Sequence, residues 1–124
     1  MKDDMLYLIH ISECIERIER YVGEGGREGF MNSTLTQDAV LRNLQTMAES
    51  TQRLSDVSQS AHPEIEWRKI SGFRNVLVHD YLSVDLERVW LVVDKDLPEL
   101  KQAVMAMLEE RGYEGPGLKT GDPD

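Results

Sequence analysis

The sequence predicts an all-α fold, an antiparallel up-and-down bundle of four to five helices, on three observations. Apolar residues recur at alternating spacings of three and four, which makes one stripe along each helix. No segment carries a convincing strand pattern of alternating apolar and polar residues. The helical segments are long and their connections short, a combination that favours antiparallel neighbours.

The first helix runs from about Asp3 to Val22, with Leu8, Ile11, Ile15, Ile18 and Val22 as its stripe. Gly23, Gly25, Gly26 and Gly29 then break it and predict a mobile loop. The second helix begins near Thr34, which has Gln37 three residues on, the spacing of a capping box. Val40, Leu41, Leu44, Met47, Ala48 and Leu54 form its apolar face, and it is expected to end before the Ser-rich turn at Ser58 to Ser60. The third opens at His62-Pro63, since proline suits a first helical turn, and carries Trp67, Ile70, Phe73 and Leu77. The fourth starts near Asp85 with Leu86, Val89, Val93, Leu97, Leu100, Val104 and Met107 inward. Pro98 lies inside that run and predicts a kink or a split there. The expected domain is 1–111, and residues 112–124, rich in glycine and proline, are expected to form a disordered tail.

A chain of 124 residues makes one domain with a single core. No stretch approaches the roughly 18 apolar residues that a membrane span requires, and the N-terminus lacks the features of a signal peptide. The single cysteine, Cys14, allows no internal disulfide and argues against a zinc cluster. These features predict a cytoplasmic protein with no cofactor and no metal. The net charge of −9 argues against a long, charge-driven nucleic-acid groove. From His62 to Tyr81, however, Arg68, Lys69 and Arg74 balance Glu64, Glu66 and Asp80, so a local site for one phosphate survives.

Residues 74–81, Arg-Asn-Val-Leu-Val-His-Asp-Tyr, carry the chemistry. Arg74 is a permanent cation whose fork of donors fits phosphate. His79 can give or take a proton near neutral pH. Each helical residue turns about 100°, so Arg74 and Tyr81 fall nearly on one face, whereas His79 lies about 140° from Arg74. Either the helix ends between Val78 and Tyr81 and His79 swings round, or the Arg74 of one chain meets the His79 of another across a two-fold axis. A purely structural arrangement is also open, with Arg74 paired to Asp80 while Asn75, His79 and Tyr81 satisfy backbone groups.

The stretch "HPEIEWRKISGFRNVLVHDYLSVDLERVW" (62–90) resembles the signature of the HepT-type HEPN proteins, whose motif is Arg, four residues, His, one residue, Tyr. "QDAVLRNLQTMAES" (37–50) is similar to that family's second helix and "DKDLPELKQAV" (94–104) to its last. The loop at 23–33 and the tail have no counterpart in the resemblance. Met-Ala-Glu at 47–49 stands where many relatives have Gly-Glu-Ala, so the resemblance assigns Glu49 no role.

The resemblance implies a HEPN bundle that is the toxin half of a toxin–antitoxin pair. It implies a metal-independent endoribonuclease working as a homodimer, with Arg74 and His79 catalytic at the dimer cleft; beside it, the residues themselves suggest supporting roles, Asn75 fixing the backbone or His79 and Asp80 orienting His79. It further implies a cognate MntA-like nucleotidyltransferase antitoxin that silences the toxin by transferring AMP to Tyr81. The alternative is a non-catalytic HEPN module that docks a nucleotidyltransferase, and a third is a plain dimerisation bundle.

The other chemistry-bearing residues have structural expectations. His10 flanks the first apolar stripe as a boundary residue, and His62 is expected to cap the third helix. Cys14 is expected in the core, and Trp67 and Trp90 as core or interface anchors. Glu13, Glu16, Glu19, Glu109 and Glu110 are expected on solvated faces, with the acidic surface available to a basic antitoxin.

Overall fold

The computed structural model describes residues 2–72 and 85–113, and their regular structure is helical throughout. In chain order the elements are α1 (Lys2–Val22), α2 (Gly26–Met31), α3 (Thr34–Gln52), α4 (Asp56–Ser60) and a helical run at 67–72 (α5). After residues 73–84 come α6 (Leu86–Leu91), a π-helical turn (Val92–Asp96) and α7 (Leu97–Glu110). No strand occurs among the described residues.

Contacts along α1 set the direction of its neighbours. Asp4 meets Ser55 just beyond the end of α3, and His10 meets Ser50 within it, so α3 runs antiparallel to α1. Asp4 also lies beside Arg111 and Glu19 binds Lys101, so α7 is antiparallel to α1 as well. The predicted stripes fill the space between them. Leu8, Ile11, Ile15 and Ile18 of α1, Val40, Leu44 and Met47 of α3, and Leu97, Leu100, Val104 and Met107 of α7 form one buried cluster. Each such side chain contributes roughly 1.5–3 kcal/mol by leaving water.

Four local features differ from expectation. Residues 26–31 form α2 rather than a mobile loop, and Phe30 within it is wholly buried. The helix fits between glycines. Gly26 adopts φ +57, a region L side chains rarely enter, and a Cβ on Gly25 would sit 3.2 Å from the Gly29 Cα. α3 is capped by Ser33, whose hydroxyl accepts from the Thr36 N–H at 3.1 Å, rather than by Thr34. Gln37 instead donates to the carbonyls of Phe30 (2.9 Å) and Met31 (3.1 Å), tying α2 to α3. The Ser-rich stretch forms the short helix α4, with Ser55 as its cap. The helix after His62-Pro63 begins at 67, not at Pro63, with a turn before it.

Pro98 neither splits nor breaks the last helix among the described residues. The chain stays helical by widening to a π turn, in which the Leu97 N–H bonds the Val92 carbonyl. The wider register accommodates a proline that has no N–H of its own and crowds the preceding turn. α7 then ends in a Schellman motif. Gly112 at φ +79 donates to the Glu109 carbonyl and Tyr113 to the Leu108 carbonyl, both at 3.0 Å. Tyr113 packs on the core, so the chain is still folded at the point where the tail was expected to begin. The remaining tail, residues 114–124, lies outside the described residues. No helix of the described residues is long and apolar enough to cross a membrane.

Candidate functional site

Arg74, Asn75, His79, Asp80 and Tyr81 all fall within residues 73–84, outside the described residues. The ends between which they lie are described. On the entry side, the Trp67 indole N–H donates to the carbonyls of Gln59 and His62, each at 3.0 Å, which fixes the start of α5 against the preceding turn. Ile70 is buried, and the Lys69 ammonium lies 3.2 Å from the Asp96 carboxylate of the π turn. Gln52, at the end of α3, donates to the Ser71 carbonyl at 3.4 Å, three residues before Arg74. Glu49, one turn earlier on α3, is half-buried.

On the exit side, the Asp85 side chain caps α6 by accepting from the N–H groups of Glu87 (3.0 Å) and Arg88 (3.3 Å). Trp90 of α6 packs on Phe30 of α2, with ring centroids 5.7 Å apart and planes tilted by 35°. An Arg27–Glu87 ion pair joins the same two helices. Both tryptophans therefore act as anchors, as expected, one on each side of the motif.

His10, Cys14 and His62 are each engaged within the fold. His10 has its Nδ1 2.6 Å from the Ser50 hydroxyl and its Nε2 3.8 Å from the Cys14 thiol. Ser50 is 6% exposed, and the pair ties α1 to α3. Burial pushes the Cys14 thiol up to about 11; Arg17 pulls the other way and Glu13 adds to the rise, so the group stays a neutral core thiol near neutral pH. His62 does not cap a helix. Its Nδ1 sits 3.1 Å from a Glu64 carboxylate oxygen, and its carbonyl accepts from Ile65 and Trp67. Glu64 is held below its ordinary value by its own backbone N–H and by His62.

One polar network escaped the sequence reading. Asp4, only 2% exposed, accepts from the Ser55 N–H (3.0 Å), the Ser55 hydroxyl (2.6 Å) and the Ser58 hydroxyl. Arg111 lies 3.8 Å from Asp4, donates to the Ser58 hydroxyl at 2.7 Å and to the Met107 carbonyl at 3.1 Å. Burial acts to raise the Asp4 pKa, but the hydrogen bonds from Ser55 and Ser58 and the Arg111 charge outweigh it and hold the carboxyl below its usual range. An aspartate in the first turn of a helix reads in sequence as a solvated, dipole-favoured residue; only the fold brings α4 and α7 onto it. Among the described residues no group of three or more His, Cys, Asp or Glu side chains could hold a metal ion.

Comparison with known proteins addresses the segment that holds the motif. Residues 11–107 match the model of the family described as "Ribonuclease HepT-like". The chain is 38% identical over 95 residues to a Thermococcus cleftensis protein named "Probable ribonuclease HepT", covering 77% of this chain and 86% of that one. It is 27% identical over 118 residues to the "mRNA nuclease HepT" of Shewanella oneidensis, covering 76% of this chain and 87% of that one. A Methanocaldococcus jannaschii protein named "Gamma-glutamylcyclotransferase and putative RNase" is 36% identical over 109 residues, 88% of this chain. The chain spans about half of that relative's own length, 49%. No solved structure matches. The family match runs through Arg74, His79 and Tyr81 and over the helices that frame them, and the chain belongs to the HepT-like ribonuclease family.

Proposed function

We propose that this protein is a metal-independent endoribonuclease, the toxin of a toxin–antitoxin pair, acting through Arg74 and His79. The observation that carries the reading is the family match over residues 11–107, which contains the Arg-x4-His-x-Tyr motif. The anchored entry at Trp67 and Ile70 and the capped exit at Asp85 support it, because a fixed frame lets a short segment present reacting groups reproducibly.

In RNA the 2′-hydroxyl can attack the adjacent phosphorus once its proton is removed. His79 takes that proton, and the new P–O2′ bond forms as the P–O5′ bond breaks. Arg74 holds the phosphate and stabilises the charge that grows on its oxygens. A homodimer brings a second His79 to protonate the departing 5′ oxygen, which accords with the roughly 140° between Arg74 and His79 on a regular helix. Asn75 and Asp80 support this arrangement. Tyr81 is the off-switch: AMP placed on it by an MntA-like nucleotidyltransferase adds bulk and negative charge where RNA enters.

Expression of the wild-type chain without its antitoxin is expected to arrest growth, and His79→Ala with an unchanged circular dichroism spectrum is expected to abolish the arrest. Full toxicity of a folded His79→Ala variant overturns the catalytic assignment. Intact mass after co-expression with the neighbouring nucleotidyltransferase is expected to rise by whole AMP units, and to stay unmodified in Tyr81→Phe.

A further inference from the structure

A groove that the ribonuclease reading does not use runs between the 62–66 turn with α5 and the outer face of α7. Its main hollow, about 330 Å³, is lined by His62, Glu64, Ile65, Glu99, Gln102, Ala103 and Ala106. A neighbouring depression shares Ile65 and Glu99 and adds Glu66, Lys69, Ile70 and Asp96. The two adjoin at Ile65 and Glu99, with apolar residues at their base and charged residues around them. Ile65, Ile70 and Ala103 of the floor are buried. The small Ala103 and Ala106, three apart on α7, leave the hollow open opposite Ile65.

The rim is unbalanced. It carries four carboxylates, on Glu64, Glu66, Asp96 and Glu99, against one lysine, Lys69. Lys69 is already committed to Asp96 at 3.2 Å, and His62 to Glu64 at 3.1 Å. Gln102 adds an amide that can both donate to and accept from a peptide backbone. RNA is a poor occupant, because each phosphate would meet these carboxylates. A second copy of the chain, at net charge −9, supplies no excess of basic side chains to meet this particular rim.

We propose that this groove binds an extended segment of a partner protein that carries lysine or arginine side chains. Their aliphatic stems lie on Ile65, Ala103 and Ala106 while their charged ends reach Glu64, Glu66 and Glu99. A binding measurement tests this site independently of any nuclease activity.

The test is fluorescence anisotropy of a labelled nine-residue peptide of alternating lysine and alanine, titrated with the full chain at physiological salt. Three variants with unchanged circular dichroism are compared. Glu64→Gln with Glu99→Gln removes two groove charges, and Glu13→Gln with Glu16→Gln removes two exposed charges on α1. Ala106→Phe fills the hollow without changing charge. The groove pair is expected to weaken binding about fivefold or more, and the α1 pair less than about twofold, from the size of exposed ion pairs. Ala106→Phe is expected to weaken binding at low and high salt alike. Equal loss in the two charge pairs means undirected surface attraction and overturns the proposal. So does an undetectable wild-type interaction, or unaltered binding in Ala106→Phe.

Discussion

Replacing Asp4 by alanine tests how the bundle is closed at one end. The carboxylate accepts three hydrogen bonds, from the Ser55 N–H, the Ser55 hydroxyl and the Ser58 hydroxyl, and lies 3.8 Å from Arg111. Each bond to a charged group contributes about 1.5–3 kcal/mol. Removing one partner of a buried charged network costs about 3–5 kcal/mol, because the other partners are left unsatisfied. The three bonds share one carboxylate and do not add in full, so Asp4→Ala is expected to cost about 4 kcal/mol. With a urea m-value of about 1.5 kcal/mol/M, the unfolding midpoint falls by roughly 2–3 M.

Asp4→Asn keeps an acceptor and is expected to lose about half as much. The pH dependence follows from the lowered Asp4 pKa. A carboxyl depressed in the folded state adds its stability above its unfolded value of about 3.9, and loses it as pH falls through the folded value. The midpoints of wild type and Asp4→Asn should therefore converge below about pH 4. A cost below about 1 kcal/mol for Asp4→Ala, or a gap between wild type and Asp4→Asn that stays constant down to about pH 2.5, would refute the reasoning.

Two further predictions concern the core. Cys14, fully buried with its thiol raised to about 11, should not react with a disulfide reagent at mildly alkaline pH until urea unfolds the chain; fast reaction of the native protein contradicts its placement. Phe30→Ala should cost about 3–5 kcal/mol in chemical denaturation, the range for emptying a buried aromatic site. A cost within about 0.5 kcal/mol would instead fit a surface position, as a mobile 23–33 loop implies.

The long helices were legible because each depends on a local period. Ile11, Ile15 and Ile18, or Leu100, Val104 and Met107, face inward because three-and-four spacing leaves them only one common side. The 23–33 segment was not legible. Its four glycines signal a break, whereas the helix they permit is held by Phe30 entering the core and Gln37 bonding its last carbonyls, which are tertiary events. The Asp4 network was hidden for the same reason, since Asp4, Ser55 and Arg111 are joined only by the antiparallel packing. Pro98 signals a kink or a split, whereas the chain stays helical through a π turn just before it. The motif was legible as chemistry, from residue types and their spacing. The mutual geometry of Arg74 and His79 was not, because a five-residue separation does not bring two side chains to one face of a regular helix.

The central claim is that the 2′-hydroxyl of RNA is the nucleophile, activated by His79 with Arg74 on the phosphate and no metal ion. The most direct measurement incubates the purified wild-type chain, with excess EDTA, with an RNA oligonucleotide and with a copy carrying a single 2′-deoxy sugar at the mapped cleavage position. Cleavage of the RNA to a 2′,3′-cyclic phosphate, with none at the deoxy position and none in a folded His79→Ala variant, is the predicted result. Cleavage at the deoxy position, or activity that EDTA removes, would contradict it.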